Sequence, residues 1–180
     1  AQVVQSFRAF NQRILTGDRV VFVSPDAGSN KKIAEIVKYF GHADFVRADK
    51  LRNLSTGEIL ETIVYLDDFA GCDVVIADDL IDGGKTFIEL AKVLKAKGAG
   101  TVILYATHGI FSKNAEAKFK SGKFSVVVTD SITREDSYWQ ENDSWLKRVS
   151  IDELLAKAIH EAATCGGSVS KLSAPRKTSK

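Results

Sequence analysis

Three carboxylates, two glycines and a lysine–threonine pair crowd into "DDLIDGGKT", residues 78–86, between the apolar run "VVIA" and the helix-like "FIELAKVLKAKG". Gly83 and Gly84 remove side chains where the chain turns into a helix, so backbone N–H groups and the Thr86 hydroxyl can surround a phosphate at the positive helix end. Asp78 and Asp79 fall at the expected end of a strand, where carboxylates accept hydrogen bonds from neighbouring sugar hydroxyls, and Asp82 opens the phosphate loop. The implied ligand is a sugar phosphate, most simply a pentose 5-phosphate. The plainer alternative is a strand-to-helix turn capped by Asp82, but a cap needs one acid rather than three. The spacing of a nucleoside triphosphate loop, Gly, four residues, then Gly-Lys-Ser/Thr, is absent.

Other chemistry-bearing residues also follow apolar runs. In "SPDAGSNKK", Asp26 suits a hard cation such as Mg2+, which takes few protein carboxylates and fills its shell with water and phosphate; a plain turn is the alternative. In "DKLRNLSTG", Lys50 and Arg52 can converge on a phosphoryl group and neutralise charge during transfer, against the alternative of solvated surface charge. His108 follows a buried run in "ATHGIFS" and ranks below the acids as a site contact. His42 and His160 read as surface residues, and no Ser/His/Asp or Cys/His nucleophile arrangement emerges.

The elements that must position these residues alternate along the chain. Val3, Phe7, Phe10 and Ile14 form a helical stripe ahead of the strand "RVVFVS". There follow a helix to Gly41, the strand "ADFVRA", an exposed polar loop "DKLRNLSTG", and a short apolar segment "EILETIVYL". The strand "DVVIAD" then leads through the glycine motif into a helix ending near Gly98. Strands "TVILYATHG", "FSVVVTD" and "WLKRVS" follow, with a short helix "AEAKFKSG" and a last one, "IDELLAKAIHEAATCGG", stopped by glycines. Near-continuous apolar strands alternating with helices predict an α/β fold, a mostly parallel sheet flanked by helices on both faces, with ligands beyond the carboxyl ends of the strands.

A chain of 180 residues suits one domain, expected over residues 1–172, with a basic tail at 173–180 expected to be disordered. The net charge is +2, yet the last ten residues carry four positive charges and no acid, leaving the first 170 at −2. A slightly acidic body disfavours nucleic acid as a partner. Cys72 and Cys165 are too few for a disulfide framework or a zinc site, and no apolar run reaches a membrane span, so a cytoplasmic protein is expected. The absence of an initial Met reads as processing or as a piece of a longer protein.

Taken together, "VVFVSPDAGSNKKIA", "DKLR", "VVIADDLIDGGKT", "ATHGIFSKNA", "VVVTDSI" and "GGSVSKL" resemble, in order and spacing, the second half of the ribose-phosphate pyrophosphokinase family over residues 18–172. That resemblance implies a type I phosphoribosyltransferase-like fold and transfer of the β,γ-diphosphoryl group of ATP to the 1-hydroxyl of ribose 5-phosphate, with release of AMP. It implies ribose hydroxyl binding by Asp78 and Asp79, 5-phosphate binding by Asp82, Gly83, Gly84, Lys85 and Thr86, Mg2+ at Asp26, and phosphate closure by Lys50 and Arg52. It also implies homo-oligomers, or pairing with an N-terminal-half domain, since the family's first half has no counterpart here. The chain departs from the family at "DGGKT", where the usual pattern is Asp-Thr-Gly-Gly-Thr, at Leu51 of "KLR", and at Ser173, which replaces an aromatic. Two rivals stand beside this reading: a stand-alone phosphoribosyltransferase, for which the residues before the first strand are few to form a hood, and a non-catalytic regulatory subunit.

Overall fold

The apolar runs assemble into a seven-stranded sheet in the computed structural model, which describes residues 19–40, 44–56 and 59–164. Its strands are β1 (Arg19–Ser24), β2 (Asp44–Arg52), β3 (Ile59–Val64), β4 (Cys72–Ile81), β5 (Val102–Gly109), β6 (Ser125–Thr129) and β7 (Leu146–Val149). They lie in the order β3-β2-β1-β4-β5-β6-β7, and every neighbouring pair is parallel except β2 with β3. Among the described residues the helices are α1 (Asn30–Phe40), α2 (Lys85–Ala96), α3 (Ala115–Ser121), α4 (Asp136–Asn142) and α5 (Asp152–Thr164). The strand order reverses between β1 and β4, the position at which open α/β sheets hold ligands. Asp26 follows the first of these strands, and the acidic motif ends the second.

Burial of both sheet faces explains why the strands read as continuous apolar runs. Along β4, Val74 and Ile76 join the cluster that contains Phe87, Leu90 and Leu94 of α2. Val75 and Ala77 join the opposite cluster, with Phe22 of β1 and Ile33 of α1. Helix α5 buries no side chain and leaves Leu155 and Ile159 exposed.

The structure alters three expected elements and adds one. Residues 49–52 are not loop but the end of β2, which forms an antiparallel arm with β3, the short apolar segment; pairing slips between Leu51 and Arg52. Strand β4 does not stop at Asp78 but runs to Ile81, because its ladder with β5 continues through Leu80–His108 and Ile81–Gly109. The helix expected from Asp26 opens instead as a 3₁₀ turn, Ala27–Ser29, before α1. Helix α4 was not expected, since its seven residues, "DSYWQEN", carry no clear apolar stripe; Trp139 anchors it. The first helical stripe, His42, Cys165, the "GGSVSKL" stretch and the tail lie outside the described residues.

Candidate functional site

Asp26 caps the 3₁₀ turn, its Oδ1 accepting the Ser29 N–H at 3.0 Å. The Ser29 hydroxyl in turn donates to Asp78 Oδ1 at 2.9 Å, tying the end of β1 to β4 across the strand-order reversal. Asp78 Oδ1 also accepts the Asp79 N–H at 2.9 Å. Burial is the main influence on Asp78 and raises its carboxyl pKa above the usual aspartate value, with these two hydrogen bonds opposing it. Asp79 shifts the other way. Lys32 of α1 donates to its Oδ2 at 2.5 Å, and that hydrogen bond lowers its pKa.

The two neighbours diverge because β4 continues past them and successive strand residues alternate in direction. Asp78, Leu80 and Asp82, two apart, line one cavity of about 450 Å3, while Asp79 is not in its wall. The same cavity is lined by Asp26, Lys50, Gly83, Gly84, Lys85 and Thr86. Eight of the ten expected site residues therefore meet around one space. Asp79 lies beside it, and the Arg52 side chain lies outside the described part of the chain.

Lys50 reaches the cavity from β2. Its side chain is only 7% exposed, and its Nζ is 4.0 Å from Asp26 Oδ2. A plain solvated cation would not be sequestered in this way; the ammonium is held in the cavity wall beside Asp26. Asp26 keeps Oδ2 clear of the turn it caps, and its side chain is half-exposed. Among the described residues no three His, Cys, Asp or Glu side chains cluster for a metal. The cavity's few carboxylates, Asp26 with the Oδ2 that its turn leaves clear among them, suit Mg2+, which takes few protein oxygens and keeps water and phosphate oxygens in its shell.

The turn into α2 is shaped by Gly84, which caps the helix in the left-handed conformation, φ 71°, with no side-chain cap bond. Asp82 is therefore not the cap. No acid occupies the first turn of α2, so its positive end is not offset by a carboxylate of its own.

Four residues here carried no signal strong enough to be picked from the sequence. Ser29 and Lys32 hold Asp78 and Asp79, and Lys113 and Lys118 complete the cavity wall. The Lys113 side chain lies over Gly83, where an added Cβ would be 3.3 Å from its Cδ. It comes from a stretch in which Phe111, Lys113 and Asn114 all have positive φ. Arg134 braces the start of that stretch, donating to the carbonyls of Gly109 at 2.8 Å and Ile110 at 3.3 Å and lying over the rings of Phe111 and Tyr138. His108 is 2.7 Å from the Ser131 hydroxyl through Nδ1 and does not line the cavity; His160 is exposed on α5.

The opposed shifts of Asp78 and Asp79 have a measurable sign. Asp78 binds its proton more tightly in the fold than in the unfolded chain, so its contribution favours the fold at low pH and is lost as pH rises toward its raised pKa. Asp79 contributes above the ordinary aspartate pKa and loses this as pH falls through its lowered value. Carboxyl NMR titration is expected to place Asp78 above 3.8 and Asp79 below it; the reverse order would contradict the geometry.

The family described as "Phosphoribosyl synthetase-associated domain" matches residues 55–173. A ribose-phosphate pyrophosphokinase of Vibrio parahaemolyticus is 36% identical over 143 residues, covering 79% of this chain and 44% of that protein. One from Corynebacterium efficiens is 34% identical over 143 residues, covering 79% and 43%. The crystal structure of phosphoribosylpyrophosphate synthetase from Mycobacterium smegmatis superposes with a TM-score of 0.72 at 27% identity, covering 93% of this chain and 51% of that one. The chain thus spans less than half the length of these curated relatives.

Proposed function

The chain belongs to the phosphoribosyl synthetase-associated domain family, and from that premise we propose that it is the sugar-phosphate-binding half of a ribose-phosphate diphosphokinase. Its mostly parallel sheet is the type I phosphoribosyltransferase-like fold expected, shared with the mycobacterial synthetase. The observation that carries the proposal is the convergence of Asp26, Lys50, Asp78 and residues 82–86 on one cavity at the reversal of strand order.

In this reading the 1-hydroxyl oxygen of ribose 5-phosphate attacks the β-phosphorus of ATP. The bond from that phosphorus to the α,β-bridging oxygen breaks, the hydroxyl proton passes to solvent water, and AMP leaves with the bridging oxygen. The N–H groups of residues 83–86 and the Thr86 hydroxyl hold the 5-phosphate, and Lys85 adds charge beside it. Asp78 accepts hydrogen bonds from ribose hydroxyls, and Asp79 assists from the neighbouring position while held by Lys32. Lys50, with Arg52 beyond it on the same arm, neutralises charge on the moving diphosphoryl group. Asp26 would hold Mg2+, which when bound supplies charge neutralisation to the phosphates. The residues position and screen; none forms a covalent intermediate.

ATP would be held largely by the N-terminal half of the enzyme, so the active unit is a pairing with that half or a homo-oligomer containing it. Neither nucleic acid nor membrane is a partner in this reading, and the setting is the cytoplasm and nucleotide biosynthesis. Among the described residues no helix is long and apolar enough to cross a membrane.

Isothermal titration with ribose 5-phosphate and Mg2+ tests the site. Binding is expected, with Asp78→Asn and Thr86→Val each weakening it about 10-fold or more, the scale of a lost hydrogen bond to a charged group. No saturable binding, or binding indifferent to both substitutions, would overturn the reading. The family's description favours one second reading, a non-catalytic partner that keeps the fold. Retention of Asp26, Lys50 and Asp78 weighs against it; normal synthetase activity in an assembly carrying Lys50→Met would favour it.

A further inference from the structure

A second cavity of about 900 Å3 runs along α2 toward α3 and shares Lys85 and Lys118 with the sugar-phosphate cavity. The two spaces therefore adjoin, with flexible lysine side chains at the junction. Five lysines line the second cavity against one acid, Glu89, and its floor is apolar, with Ile88 and Phe124. Its size is that of a small-molecule site rather than of a surface wrinkle, for such sites span roughly 300–1,000 Å3.

Three lysines, Lys85, Lys113 and Lys118, gather at the junction. Lys85 opens α2 at the positive end of the helix dipole, where a cation is unfavourable unless an anion sits beside it. Lys118 is steered to the same place by donating to the Lys113 carbonyl at 2.8 Å, and Lys113 itself covers Gly83. Further along, Lys92 is exposed and paired with Glu89 at 3.2 Å, and Lys123 also lines the groove. Ribose 5-phosphate alone would leave the larger cavity unused.

We infer that this site takes a terminal ribose whose 5-phosphate continues into a diphosphate ester, the rest of the molecule lying in the lysine-rimmed groove between α2 and α3. The inference rests on the sugar-phosphate reading above and narrows its substrate class. The first phosphate occupies the loop at residues 82–86, the second sits at Lys85 and Lys118, and an apolar or aromatic body covers Ile88 and Phe124. The 1-hydroxyl of the terminal ribose stays at the Asp78 side, available to the same transfer.

ADP-ribose, a free ribose joined through its 5-carbon to a diphosphate, is the probe, titrated beside ribose 5-phosphate and ADP. ADP-ribose is expected to bind about 10-fold or more tightly than either, since only it fills both cavities with a charge-assisted contact at the junction. The charge reversals Lys92→Glu and Lys123→Glu, made together on groove residues outside the sugar-phosphate cavity, turn the groove's field against the diphosphate and are expected to cut that advantage by about 3-fold or more while ribose 5-phosphate affinity is retained. Retained affinity also certifies the fold of the double variant. The inference is overturned if ADP-ribose binds no tighter than ribose 5-phosphate, if ADP alone matches it, or if the advantage is unchanged by the double reversal. Absence of ribose 5-phosphate binding in the unaltered protein would instead overturn the sugar-phosphate reading itself.

Discussion

Replacing Gly84 with valine is expected to remove ribose 5-phosphate binding and to lower stability by about 2–4 kcal/mol, from left-handed backbone strain plus overpacking. Two independent penalties meet there. The backbone has φ 71°, which an L-residue adopts at a cost, and a Cβ built on Gly84 lies 2.6 Å from the Phe119 ring. That ring cannot give way easily. It is fully buried, stacked on Trp145 at 5.8 Å, and edge-on to Phe111 and Phe124 at 6.1 and 6.2 Å. The loop must move instead, and an ångström of displacement at a phosphate cradle costs on the order of 100-fold in function. Thermal unfolding and titration of Gly84→Val measure both effects. A second variant, Phe119→Leu with Gly84→Ala, separates them: relief of the contact restores part of the stability, while the φ penalty stays. A Gly84→Ala protein with unchanged melting and affinity would contradict the account of this loop.

Lys50→Met is expected to reduce diphosphoryl transfer by about 100- to 1,000-fold in the active assembly, the usual cost of removing one donor aimed at developing charge. Ribose 5-phosphate affinity should change little, because Lys50 approaches from the Asp26 side of the cavity rather than from the phosphate loop. Methionine preserves the length of the nearly buried stem, so loss of packing is not the cause of the effect. Lys50→Arg keeps the charge in a different shape and should recover part of kcat. A Lys50→Met enzyme with normal AMP release would remove this residue from the transfer step and favour the non-catalytic reading.

The contrast between these two positions shows how unevenly the site was legible. The loop proposed to hold phosphate follows from local rules, glycines before a helix with no acid in its first turn, and the structure places Gly83, Gly84 and Thr86 on the cavity. The parallel sheet was equally legible, because strands buried on both faces must be apolar throughout, as Val74 through Ala77 are. Lys50 was ambiguous for a physical reason. On the β2–β3 arm its side chain turns inward, 7% exposed, while Leu51 beside it is 53% exposed, the reverse of the pattern that marks a strand.

The sequence by itself determined the alternation of strands and helices, the glycine turn into α2 and the acids around it, since each depends on the propensity and spacing of residues close along the chain. Tertiary structure alone decided which of two adjacent acids enters the cavity, for that depended on β5 pairing with β4 as far as Ile81. It likewise decided that Ser29 would reach Asp78 across 49 residues, and that Lys113 would lie over Gly83. Such contacts are set by strand order and by ladders between distant segments, and no local rule in a single chain encodes where those ladders end.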